Sequence, residues 1–269
     1  MPHGESWFSL LPFHHRFEAW MMELSRHFRE DGLTWYAHER PGVQHIYAAL
    51  FVLLLIVIVA VTTETSIRDG KNDLVPADKL TLRNFVELLV GACYKMMADI
   101  MGSEAARYFL PLVGTCAFFI LFSNALGLVP GFLPATSNFN TTLACGLVIF
   151  VATHIYGLKA NGFGHIKHLF GPWLGPLGIP LNILMFFIEC VSHIARPISL
   201  GIRLMANMTA DHMVLTIFLG LVPLLVPLPM YILGSLVVVI QALVFCLLSS
   251  VYIGMAIEDQ HGHAEHAEH

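Results

Sequence analysis

Charged residues are scarce in this chain and absent from its middle. Only 12% of the 269 residues are charged, whereas 56% are hydrophobic. Residues 108–158 contain no Asp, Glu, Lys or Arg, and residues 168–269 contain only two basic side chains, Arg196 and Arg203. This composition excludes an ordinary soluble domain, and the lack of a basic patch excludes nucleic acid as a partner. The sequence therefore predicts a polytopic membrane protein.

Cysteine is also sparse, and no two cysteines are close in sequence. The five cysteines stand singly in apolar surroundings, without a Cys-x-x-Cys pair. This spacing excludes a disulfide scaffold and predicts buried small side chains. The first residues lack the apolar core and small-residue cleavage site of a signal peptide, so we expect no cleaved signal. We also expect no cofactor and no metal site, and we interpret the His-rich residues 261–269 as a disordered tail.

Five apolar stretches, the first of them taken with its uncharged flanks, are long enough to cross a bilayer as helices of about 20 residues. They are predicted at 46–61, 108–129, 141–158, 181–222 and 230–257. As one continuous helix, the fourth stretch would be about 63 Å long, twice a hydrocarbon core of about 30 Å. We therefore expect it to be strongly tilted or broken.

Residues 84–102 have a different pattern, because their apolar residues recur at three- and four-residue spacing between Glu87, Lys95 and Asp99. This pattern is typical of an amphipathic helix along the membrane surface. The predicted fold class is thus an all-α membrane protein with about five spanning helices, the last two long and strongly tilted, plus one interfacial helix. Its expected parts are an interfacial or external segment (1–44), a single membrane domain (45–260) and the tail.

The basic residues near the span ends predict the orientation. The connections 130–140 and 223–229 carry none, whereas the other connections carry Arg68, Lys71, Lys79, Arg83, Lys159 and Lys167. The latter side is expected to be cytoplasmic, which places the carboxyl terminus in the cytoplasm and residues 1–44 outside. Arg26, Arg29 and Arg40 in the external segment count against this orientation without reversing it.

A polar stripe is predicted along the helix of residues 181–222, provided that Pro197 bends this helix without ending it. The stripe consists of Glu189, Arg196, Arg203, Asn207 and Asp211. An arginine in mid-membrane costs about 2.5–3.5 kcal/mol on insertion scales and keeps its charge. Arg203 is therefore a functional candidate, and the alternative is a structural ion pair with Glu189 or Asp211.

The segment Ser199-Leu-Gly-Ile-Arg-Leu-Met-Ala-Asn-Met208 resembles the signature of subunit a of F-type ATP synthases. The resemblance continues in the same order at Asn124-x-x-Gly-Leu-Val-Pro130, Pro134-Ala-Thr-Ser-Asn-Phe-Asn-Thr141, Pro180-Leu-Asn-Ile183, Glu189 and Gln241-Ala-Leu-Val-Phe245. It implies a non-catalytic, proton-translocating stator subunit in a bacterial inner membrane, in contact with membrane lipid. The implied protein partners are a rotating ring of c subunits and the peripheral-stalk b subunits, and either protons or sodium would be transported.

The resemblance also implies roles for individual residues. Arg203 would keep the passing ring carboxylate ionised and separate two aqueous half-channels, and Gln241 would position Arg203. The cytoplasmic path would contain Glu189, Ser192 and His193, and the outer path Asn207, Asp211 and His212. An outer vestibule would be lined by Asn124, Ser137, Asn138 and Asn140.

Two positions depart from the family pattern. Met205 replaces a common Phe, and Gly234 stands seven residues before Gln241, where relatives often carry a titratable group. We therefore expect Asp211 and His212 to act together as the outer proton relay. Two other function classes remain open, an ion-coupled secondary transporter and a membrane redox protein. However, we find no internal repeat and no paired His ligands at helical spacing.

Overall fold

The structure is a computed structural model that describes residues 7–10, 12–30, 44–69, 81–129, 131–162, 179–221 and 227–258. In these ranges there are no strands and seven α-helices. They are α1 (His14–Glu30), α2 (Gln44–Asp69), α3 (Leu82–Met101), α4 (Ser103–Gly127), α5 (Phe139–Asn161), α6 (Ile179–Leu221) and α7 (Pro227–Glu258). The prediction of an all-α protein is confirmed. The predicted tail, most of the connection between α5 and α6, and residues 222–226 lie outside the described residues.

Five of these helices are long and apolar enough to cross a membrane. Their candidate spans are Gln44–Thr65, Ser103–Gly127, Phe139–Ala160, Asn182–Phe218 and Leu228–Ile257. The five predicted spans are therefore confirmed. Helix α3 is not among them; it buries Cys93 and Met97 and packs against α4 and α7.

Several helix boundaries differ from the predicted ones, among them the end of α2 at Asp69, and special residues explain two of the differences. Pro227 and Pro229 lie in the first turn of α7 rather than in the turn before it. Proline is tolerated there because the first N–H groups of a helix have no intrahelical acceptor. Helix α4 begins at Ser103, five residues before the predicted start, directly after Gly102, whose φ of 82° ends α3. Glycine adopts this left-handed conformation without a steric penalty.

Helix α6 continues through Pro197 without a break, so of the two expectations, a tilted or a broken helix, the second is wrong. Its 43 residues correspond to about 65 Å, so only a strong tilt fits it into a hydrocarbon core of about 30 Å. It packs mainly on α5 through two glycines. An added Cβ on Gly146 of α5 would lie 2.9 Å from the carbonyl oxygen of Pro197, and one on Gly201 of α6 would lie 3.2 Å from the backbone of Leu143. Small residues of this kind let membrane helices approach backbone to backbone.

The short 3₁₀ helix Trp7–Leu10 packs on the connection between α4 and α5. The Trp7 N–H donates to the carbonyl oxygen of Gly131 over 3.0 Å, and the ring of Phe8 contacts the rings of Phe51 and Phe132. Residues 7–10 and the α4–α5 connection therefore lie at the same end of the helical domain.

Candidate functional site

Arg203 lies near the middle of α6, on the face that no other helix covers. Its side chain is exposed, as is that of Ile202, whereas Leu204 beside it is only 1% exposed. Within the described part of the chain, Arg203 makes no ion pair and no hydrogen bond. Its proposed structural partners are occupied elsewhere or remote: Glu189 pairs with His193, and Asp211 faces a cavity. The structure therefore has no ion pair between Arg203 and either Glu189 or Asp211.

One turn after Arg203, α6 is joined to α7 by a pair of amides. The Asn207 Nδ2 group donates to Gln241 Oε1 over 2.9 Å, and Gln241 is 5% exposed. No hydrogen bond joins Gln241 to Arg203 in the described residues. Gln241 therefore holds the side chain of Asn207, one turn after Arg203, by a hydrogen bond and does not bind the guanidinium group.

A first polar group lies on the half of α6 that precedes Arg203, and we name it the N-terminal cluster: Glu189, His193 and His154. Glu189 Oε1 lies 3.3 Å from His193 Nε2, and the His193 ring meets the ring of His154 on α5 edge to face, with centroids 5.1 Å apart. In the same region, the guanidinium of Arg196 lies 5.3 Å from the centre of the Tyr252 ring, a cation–π contact.

A second polar group lies on the half of α6 that follows Arg203, and we name it the C-terminal cavity. Asp211, His212, Tyr231 and Gly234 line it, together with apolar side chains of α4, α6 and α7. Its volume is about 30 Å³, enough for one or two water molecules. Asp211 Oδ2 and the Tyr231 hydroxyl are both buried and have no hydrogen-bond partner among the described residues.

The two polar groups are therefore separated along α6, with Arg203 between them. Glu189 precedes Arg203 by about 21 Å of helix, and Asp211 follows it by about 12 Å. Carboxylate and imidazole side chains exchange protons, whereas an arginine keeps its charge at all accessible pH values. The arrangement provides two proton-exchanging regions and a permanent positive charge that separates them.

A family of membrane proteins described as ATP synthase A chain matches residues 46–254, a range that covers α2 through most of α7. The chain belongs to the ATP synthase A chain family. Individual A chains agree with this assignment. ATP synthase subunit a of Sorangium cellulosum is 43% identical over 245 residues, which cover 89% of this chain and 93% of that protein.

Two further relatives match a shorter part of the chain at higher identity. ATP synthase subunit a of Citrifermentans bemidjiense is 51% identical over 182 residues, and ATP synthase subunit a 1 of Pelobacter propionicus is 50% identical over 182 residues. In both comparisons the match covers 67% of this chain and 76% of the relative. The relatives are bacterial, and this A chain is a multi-pass membrane protein.

The predicted polar stripe is not a straight line in this A chain. Arg203 points to the open face, whereas Asp211 faces α4 and α7 in the C-terminal cavity. The reason is helical geometry, because eight residues rotate the side-chain direction by about 80°. The fold therefore places Glu189 and Asp211 in two separate polar groups. Of the residues of the predicted stripe, only Arg203 is exposed, and it lies between these groups.

The asparagines expected in an outer vestibule make structural contacts. Asn124 is fully buried and its side-chain oxygen accepts a hydrogen bond from the Thr136 hydroxyl. Asn138 caps α5, because its side-chain oxygen accepts from the N–H of Asn140 over 3.0 Å. Asn140 is exposed, and Ser137 Oγ donates to the carbonyl oxygen of Pro134. None of these four residues lines the C-terminal cavity.

Sequence reasoning missed three side chains that the fold places at the two polar groups. These are His154, Tyr252 and Tyr231. The contact of His154 with His193 depends on how α5 packs against α6, so no pattern within either helix predicts it. The only available signal for Tyr231 was its position, three residues before the unusual Gly234.

Proposed function

We propose that this A chain is the stator subunit of a rotary ATP synthase, in which it couples proton flow across the membrane to ATP synthesis. The observation that carries the proposal is the exposed and unpaired Arg203 on an otherwise apolar face of α6. A permanent charge on an uncovered membrane-facing surface requires an anionic partner or water. A ring of c subunits supplies that partner, because each of its subunits carries a carboxylate in mid-membrane.

The guanidinium would act on the ring by electrostatics alone. Opposite charges about 4 Å apart interact by about 4 kcal/mol at an effective dielectric constant of 20. This attraction favours the ionised carboxylate and so releases its proton as the ring subunit passes Arg203. A fixed positive charge also repels protons that would otherwise pass directly between the two polar groups.

The two polar groups would serve as parts of two half-channels. The N-terminal cluster, with Ser192 half-buried next to it, lies on the side that the basic connections assign to the cytoplasm. It would release protons to the cytoplasm. The C-terminal cavity would take up protons from the outer side, with Asp211 and His212 as the relay and Asn207 between this cavity and Arg203.

The remaining assignments follow from this role. The protein would lie in the bacterial inner membrane with its carboxyl terminus in the cytoplasm, and peripheral-stalk b subunits would hold it against rotation. Residues 1–44 would form an external segment on the domain of residues 45–260. The transported ion would be the proton, because titratable groups occupy both polar regions.

Disulfide cross-linking tests the orientation of the proposed ring contact. In a background without the five native cysteines, Ala206→Cys on the exposed side of α6 is expected to cross-link to a cysteine placed beside the ring carboxylate. Val151→Cys on α5 is the matched control, because it is also exposed but belongs to another helix. Equal cross-linking of both variants, or cross-linking of Val151→Cys alone, would contradict the proposed interface.

Replacing Gln241 is expected to weaken pumping by disturbing Asn207. Gln241→Leu leaves the half-buried amide of Asn207 without its acceptor, which costs about 1 kcal/mol. Gln241→Glu keeps an acceptor for Asn207 but adds a negative charge near Arg203, so it should impair pumping by a different route. ATP-driven acidification of proteoliposomes measures both effects. Pumping at the wild-type rate in both variants would show that the amide pair does not support Arg203.

A further inference from the structure

The C-terminal cavity combines three features that the Asp211–His212 relay does not account for. A buried carboxylate oxygen of Asp211 and a buried hydroxyl of Tyr231 lack protein partners, and Gly234 lines the same small cavity. A buried polar atom without a partner costs about 1–3 kcal/mol, so two of them at one site indicate a bridging molecule. The volume of about 30 Å³ has room for one or two waters.

We propose that Tyr231 is a positioning residue of the outer proton path, joined to Asp211 by an ordered water that the absence of a side chain at Gly234 accommodates. This inference rests on the proposed function. It assigns a role both to Tyr231 and to the missing side chain at position 234. Water-mediated hydrogen bonds are nearly as favourable as direct ones, and a water can pass a proton along.

The surroundings of the cavity support a link of this kind. His212 and Asp211 are contributed by α6 and Tyr231 by α7, and the other walls, including Leu128 and Pro134, are apolar. Among the described residues, no further charged or titratable group lines the cavity. A bridging water would therefore have the Asp211 carboxylate and the Tyr231 hydroxyl as its side-chain partners. The tyrosine hydroxyl both donates and accepts hydrogen bonds, so it orients the water while the carboxylate takes up and releases a proton.

Gly234 is the second point at which the inference can be tested. A Cβ added there would lie 3.1 Å from Leu128 Cδ2, the end of a flexible side chain. Gly234→Ala is therefore tolerated by a small movement of Leu128, yet it reduces the space for water without removing any polar group. Tyr231→Phe does the converse, because it removes the hydroxyl and leaves the ring and the space almost unchanged.

The test measures ATP synthesis by the complete complex in liposomes as a function of the pH on the outer side. Tyr231→Phe and Gly234→Ala are each expected to slow synthesis by about two- to tenfold and to displace the pH profile in the same direction. Tyr94→Phe on α3 is the matched control, since it loses the same hydroxyl away from the cavity and should keep the wild-type profile. Complex yield is measured for every variant, so that lost assembly is separated from slow proton uptake.

A double-mutant cycle with Asp211→Asn shows whether Tyr231 acts through Asp211. We expect Tyr231→Phe to slow the Asp211→Asn complex little further. The same fold-loss in both backgrounds, or a wild-type profile for Tyr231→Phe, would overturn the inference. Arg203→Ala distinguishes this failure from that of the proposed function: if Arg203→Ala stops pumping while Tyr231→Phe has no effect, only the water link is wrong.

Discussion

ATP-driven proton pumping is expected to stop when Arg203 is replaced by alanine, although the subunit still inserts and assembles. The loss should be at least about 100-fold, because no other described side chain supplies a permanent charge on the open face of α6. Assembly should survive because, within the described part of the subunit, no side chain pairs with the exposed guanidinium and would be left unpaired. Insertion should even become easier by about 2.5–3.5 kcal/mol. Acidification of proteoliposomes by the purified complex measures the effect.

Two further variants test whether the positive charge alone is sufficient and whether its position matters. Arg203→Lys keeps a positive charge but replaces the planar group by a more strongly hydrated ammonium, so we expect partial activity at most. Arg196→Ala removes a cation that lies over the Tyr252 ring, seven residues earlier, and should have a smaller effect. Arg203→Ala should also raise passive proton leakage, because nothing then separates the two polar groups. Normal pumping without Arg203 would refute its proposed role.

Replacing Gly146 with leucine is expected to separate α5 from α6 and to abolish coupling. A single added Cβ would already lie 2.9 Å from the backbone oxygen of Pro197, and a backbone atom cannot move aside as a side-chain end does. Overpacking costs about 1–3 kcal/mol, and here it displaces the helix that carries Arg203. The expected result is a lower thermal unfolding temperature of the purified complex together with loss of pumping.

Two variants serve as controls for this prediction, one with a smaller side chain at the same position and one with alanine at another glycine. Gly146→Ala should have a smaller effect of the same kind. Gly91→Ala on α3 should be neutral or slightly stabilising, because nothing lies within 4 Å of its added Cβ and alanine is the better helix former. If Gly146→Leu has the wild-type unfolding temperature and pumps normally, the two helices do not meet at Gly146.

The sequence predicted the helical framework well because a bilayer leaves few choices. Backbone groups in hydrocarbon must be hydrogen-bonded within the segment, so an apolar stretch of sufficient length becomes a helix. Helix α3 was recognised by its charged residues, Lys95 and Asp99 among them. Boundaries were less accurate where special residues decide them, as with Gly102 at the start of α4 and Pro227 at the start of α7.

The contacts of the candidate site residues could not be predicted from the sequence. Periodicity gives the face of a helix on which a residue lies, and it says nothing about which helix covers that face. For this reason Gln241 was expected beside Arg203, whereas it binds Asn207. Likewise, the contact between His154 and His193 depends on the close packing of α5 and α6, which no pattern within either helix encodes.

The hydrogen bond between Trp7 and Gly131 has a consequence for the order in which the protein is made. During synthesis the chain emerges from its amino end, so Trp7 leaves the ribosome long before its partner exists. The bond forms only after α2, α3 and α4 have been completed and the α4–α5 connection has reached the same side of the membrane. Residues 7–10 are therefore among those that reach their final place late, after the α4–α5 hairpin has been inserted.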